Sequence, residues 1–231
     1  MRLWLTYITM LFTAVSFAQQ ERLAKALDFV EAGDFDKAKI EIDAAALNEA
    51  TSADSYVWYV KGFVYKELYK KNEKNNPLSP IRNQAIDAIK KSMELDTKGE
   101  NINENKQILK FLAATLNNDA ENSLSNNNLE AAQKAFEKYK EVMLLIDPQT
   151  DIKPKTIEFM LALATVLNNQ YREEQDSAKK EFKFLGVKNM YQEVLKLDAN
   201  NVSANYNLGI LYYNKAVNII NNLDYDTDIY A

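Results

Sequence analysis

The chain has 231 residues, 28 Lys and Arg against 33 Asp and Glu, a net charge of −5, and neither His nor Cys. Without imidazole or thiolate it lacks the usual ligands of zinc, copper, haem and iron–sulfur sites, and the parts of Cys–His or Ser–His–Asp catalysis. An acidic body repels phosphate backbones, so no nucleic acid is expected as partner; five Gly and four Pro are too few for the many turns of an all-β protein.

The N-terminus reads as an export signal over residues 1–18. Arg2 gives a short positive region, Leu3 to Val15 is uncharged and mostly apolar, and Ser16-Phe17-Ala18 sets small residues before a cut at Gln19. The apolar run is shorter than the roughly 20 residues that span a bilayer, so a cleaved signal is expected, with a buried first helix or an uncleaved anchor as the alternatives. No Cys follows the cut, which excludes a lipoprotein, and no later apolar run reaches spanning length. The expected location is periplasmic or secreted, and residues 19–231 are expected to form one helical repeat domain.

Helical periodicity then dominates, with helices expected at 20–32, 35–48, 52–71, 81–96, 102–125, 128–146, 154–172, 177–197 and 201–222. In 128–146, Leu129, Ala132, Phe136, Tyr139, Met143 and Ile146 line one face, while Glu130, Lys134, Glu137, Lys138 and Glu141 make the other. Residues 52–71 leave little polar face, since Val57, Trp58, Tyr59, Val60, Phe63, Val64, Tyr65, Leu68 and Tyr69 crowd it. That helix should touch neighbours on several sides. Pro77 and Pro80 mark the one long loop. Clusters such as Asn75-Asn76, Asn126-Asn127-Asn128 and Asn200-Asn201 can close helices where Gly is missing, because Asn tolerates the left-handed backbone.

A repeat runs through these elements. Leu95-Asp96, Ile146-Asp147 and Leu197-Asp198 end helices 51 residues apart, and Ala38, Ala85 and Ala132 recur every 47 residues, early in the second helix of a pair. Self-similarity with two helices per unit points to a stacked solenoid.

Trp58-Tyr59-Val60-Lys61-Gly62-Phe63-Val64-Tyr65 resembles the first helix of the tetratricopeptide repeat (TPR) family, patterned W-x2-L-G-x2-Y, as does Asn205-Tyr206-Asn207-Leu208-Gly209-Ile210-Leu211-Tyr212. Ala85-x3-Ile89-x2-Ser92, Gly33-Asp34-Phe35-Asp36-Lys37-Ala38 and Asn128-Leu129-Glu130-Ala131-Ala132-x3-Phe136 resemble its second helices. The units at 102–146 and 154–197 have longer helices, and the last has Val187 where Ala is usual. A spacing near 47–51 also overlaps HEAT-type repeats, the alternative architecture. Small residues at Ala26, Gly62, Ala120 and Gly209 are expected to let the helices of a unit approach closely. The resemblance implies an all-α, right-handed superhelix of about four helix pairs plus a final first helix. With residues 201–222 supplying a first helix only, either the native chain continues beyond Ala231 or the last helix packs on a partner.

The resemblance further implies a concave surface lined by first helices that holds a protein or peptide. It would place Tyr56, Tyr59, Phe63 and Lys66 there from one unit, and Tyr206, Asn207, Ile210 and Tyr213 from the last. Rigid rings with a polar tip suit that task. No basic-and-Asn clamp for a C-terminal carboxylate is evident. Other chemistry is thin. Five isolated Gly cannot cradle phosphate. Asp224-Tyr225-Asp226-Thr227-Asp228 begins like a calcium loop but carries Ile229 where Gly is needed. Asn201-Val202-Ser203 fits a helix N-cap better than a glycosylation site, and Glu173-Glu174 and Asp34/Asp36 read as solvated surface. No catalytic residue, metal or cofactor is expected. The reading is an exported, non-catalytic scaffold for a protein partner, within an envelope complex in one version. The alternatives are a structural solenoid that self-associates or supports a cell-envelope assembly, and an enzyme or saccharide-binding module on helical repeats.

Overall fold

The computed structural model describes residues 21–221, which hold nine helices and no strand. α1 covers residues 21–31, followed by α2 (Phe35–Leu47), α3 (Ser55–Asn72), α4 (Pro80–Leu95), α5 (Ile102–Ser125), α6 (Leu129–Ile146), α7 (Lys153–Glu173), α8 (Ser177–Leu197) and α9 (Val202–Asn221). The all-α expectation holds, and each expected helix is present with ends within a few residues. The export signal and the Asp224–Asp228 segment lie outside the described residues. Among the described residues, no helix is long and apolar enough to cross a membrane.

The boundaries follow from side chains that satisfy the unpaired amides of a helix's first turn. Asp34, Asp54, Ser79 and Asp176 accept from the backbone N–H of Lys37, Tyr56, Arg82 and Lys179 at the starts of α2, α3, α4 and α8. Asn201 does the same for Ala204 at 3.0 Å, as its capping role requires. Of the Asn clusters, only the one after α5 uses the left-handed backbone, at Asn127 with φ 57°. The Asp repeat also has a local cause. Asp96, Asp147 and Asp198 each turn a carboxylate onto the amides of the next loop, at Glu100 and Asn101, at Gln149, and at Asn200.

The chain divides into two compact units. The first runs through Ser123 and adds Glu130–Thr150; the second takes Leu124–Leu129 and everything from Asp151. In the first unit α3 packs on both α2 and α4, and it serves two cores. Its Val57, Val60, Val64 and Leu68 join Ala26 of α1 and Ala38, Ile42 and Ala45 of α2. Its Tyr65 and Tyr69 join Ala85, Ile86 and Ile89 of α4, Leu109, Leu112 and Leu116 of α5, and Val142 and Ile146 of α6. This is the many-sided contact its sequence calls for. In the second unit α8 packs on α7 and α9 around Ala164, Tyr171, Phe184, Val187, Tyr191, Val194, Ala204 and Leu211.

Close approach in the first unit depends on Gly62. A Cβ built there would lie 2.3 Å from Ile89 Cδ1 and 2.5 Å from Ile89 Cγ1, so the fully buried Ile89 occupies the space a side chain would need. Ala26 and Ala120 are likewise fully buried. Gly209 differs, since a Cβ there would meet nothing within 4 Å among the described residues. One buried cation ties the first unit together. Arg82 on α4, only 1% exposed, donates to the Tyr69 hydroxyl of α3, to Asp119 of α5 and to the Pro77 carbonyl. Its guanidinium lies 5.1 Å from the Tyr69 ring centre, and its Nε has no hydrogen-bond partner among the described residues.

Candidate binding trough

α3 carries the side chains that matter here, because four of its positions stay partly open beside its two cores, against which Tyr59 and Phe63 also pack. Tyr56, Tyr59, Phe63 and Lys66 follow one another at helical steps of three and four, so they share a face. That face borders two hollows of the first unit. One, of about 310 Å³, lies between α1 and α3 and is lined by Leu27, Val30 and Glu31 of α1 with Tyr56, Tyr59, Val60 and Phe63. The other, of about 280 Å³, lies between α3 and α5 and is lined by Tyr59, Phe63, Lys66 and Lys70 with Glu104, Gln107, Ile108 and Phe111 of α5. Tyr59 and Phe63 belong to both. They form a ridge of rings with a hollow on either side.

The rings are held by their neighbours. Tyr56 and Tyr59 stand 5.7 Å apart between centroids, and Phe63 meets Phe35 edge-on at 6.4 Å. Burial, with smaller contributions from Tyr56 and Glu104, pushes the Tyr59 phenol above its ordinary value of 10, so it stays neutral at physiological pH. The Lys66 ammonium lies 4.2 Å from the Phe63 ring centre and 2.7 Å from a Glu67 oxygen. Lys70 reaches the other Glu67 oxygen at 2.7 Å. One carboxylate thus answers both lysines. Burial pushes the Glu67 carboxyl up, but the hydrogen bonds from Lys66 and Lys70 outweigh it and hold the group below 4.5.

All four residues expected from α3 therefore border one surface. The four expected from α9 do not behave as a set. Tyr206 (67% exposed), Ile210 and Tyr213 (66% exposed) lie along an open stripe of α9, whereas Asn207 donates its amide N–H to the Ser203 carbonyl one turn back in the same helix. The stripe continues through Val202 and Ile220, both exposed, opposite the Ala204 and Leu211 side that enters the core. The contributions of α1 and α5 to the trough were not singled out in the sequence. Leu27 and Val30 look like ordinary core positions, and α5 has neither the Trp nor the Gly that sets the register in α3.

Among the described residues no group of three or more acidic side chains is placed to hold a metal ion. No protein-family model and no curated protein sequence matches the chain.

Proposed function

We propose that this chain is an exported TPR-type scaffold, its helix pairs following one another in a right-handed solenoid, which binds a protein partner in the trough along α3 and catalyses nothing itself. The carrying observation is the shared ridge. Tyr59 and Phe63 line both hollows, so an extended segment that crosses them sets side chains down on either side of the ridge. Rings fixed by packing lose little entropy on binding, so they are efficient anchors. The Gly62–Ile89 seat, the buried alanines at Ala38, Ala85 and Ala132, and the recurrent Asp turns support a repeat built from helix pairs.

Affinity capture from an envelope extract tests the reading by comparing wild type with the Tyr59→Ala/Phe63→Ala variant. The expected outcome is loss of specific captured proteins from the variant, by about tenfold or more given the 2 kcal/mol typical of anchor residues. An unchanged set of captured proteins overturns it.

A further inference from the structure

The charges around the ridge are unevenly matched. The lysines on the trough face, Lys66 and Lys70, are both ion-paired to Glu67. The acids are not. Glu31 borders the α1–α3 hollow and Glu104 the α3–α5 hollow; both are exposed, and neither has an ion-pair partner among the described residues. Each shares its hollow with Tyr59, so that one ring has an unanswered carboxylate on either side. Lys66 stands seven residues further along α3, about 10 Å of helix rise away.

Resting on the trough reading above, we infer that the partner segment is basic and lays an Arg or Lys side chain across Tyr56 and Tyr59, between Glu31 and Glu104. A ring face attracts a cation through its quadrupole, and a carboxylate on each flank fixes where the charge settles. The neighbouring hollow toward α1, walled by Leu27, Val30 and Val60, takes the adjoining aliphatic side chain. An acidic segment would instead meet two bare carboxylates and two lysines already answered. The net charge of the whole chain, −5, favours the same partner at longer range.

Three fluorescein-labelled nine-residue peptides test this by anisotropy: repeats of Ala-Leu-Arg, Ala-Leu-Ser and Ala-Leu-Glu. The Arg peptide is expected to bind tightest and to weaken as salt is raised. Glu31→Gln and Glu104→Gln should each weaken it by about three- to fivefold, the range a single exposed cation contact supplies. Glu49→Gln, the same charge change at an exposed position between α2 and α3, should leave it unchanged. Equal or tighter binding of the Glu peptide, no binding of the Arg peptide, or equal weakening by Glu49→Gln overturns the inference. If Tyr59→Ala/Phe63→Ala weakens all three peptides alike with no charge preference, the trough stands and the basic partner falls. If that variant binds all three as wild type does, the trough reading itself fails.

Discussion

A single hydrogen at position 62 decides how closely α3 and α4 approach. Any Cβ there meets the fully buried Ile89 side chain, which has to shift to admit it. Gly62→Ala therefore sets two terms against each other. Alanine favours the helix by about 1 kcal/mol, while overpacking a filled core costs about 1–3 kcal/mol. A net loss of up to about 2 kcal/mol is expected in urea denaturation. The sign should reverse in an Ile89→Ala background, where the obstructing atoms are gone and only the helix preference remains. If Gly62→Ala destabilises both backgrounds equally, the contact with Ile89 is not the reason for the glycine. The identity of this residue was legible in the sequence through the Trp58–Tyr65 pattern. Gly209 shares the Tyr three residues to either side, but a Cβ there would meet nothing within 4 Å among the described residues.

Between elements, polar groups hold what the apolar cores leave free to slide. Asp43 of α2 accepts from Lys39 at 2.8 Å, from the Tyr65 hydroxyl of α3 at 2.8 Å, and pairs with Lys61 of α3 at 2.9 Å. Burial pushes the Asp43 carboxyl up, but the hydrogen bonds from Lys39, Lys61 and Tyr65 outweigh it and hold the group below its ordinary 3.8. A carboxyl with a lowered folded-state value contributes stability that is complete above the unfolded value and disappears as pH falls through the folded one. Asp43→Asn should thus cost about 1–2 kcal/mol at neutral pH, the worth of a charge-assisted hydrogen bond. The gap to wild type should narrow as pH falls below the ordinary Asp value of 3.8, where the lowered folded-state carboxyl takes up its proton. A gap that persists there would mean that Asp43 acts through shape and not charge. Little of this layer could be read from the sequence. Periodicity located the helices because apolar residues recur with the helical turn. It does not reveal which charges meet across helices, and so Asp43 and the buried Arg82, whose guanidinium joins α4 to α3 and α5, carried no signal.

In the first unit as a whole, the odd-numbered α1, α3 and α5 supply the lining of the trough while also sending residues into the cores. The α3 share of that surface was legible in the sequence as rings recurring at helical spacing, Tyr56, Tyr59 and Phe63. The α1 and α5 shares depend on how the helices stack, which no local pattern encodes. The second unit has its own core and leaves the α9 stripe of Val202, Tyr206, Ile210 and Tyr213 exposed. In the function proposed above, the partner lies along the α3 ridge and touches the first unit from α1 to α5. Site-specific photo-crosslinking in cells tests it most directly, with benzoylphenylalanine placed in turn at Tyr56, at Phe111 and, outside the trough, at the exposed Ile40 of α2. One and the same covalent adduct is expected from positions 56 and 111 and none from 40. An adduct from position 40 alone, or none from either trough position, would contradict it.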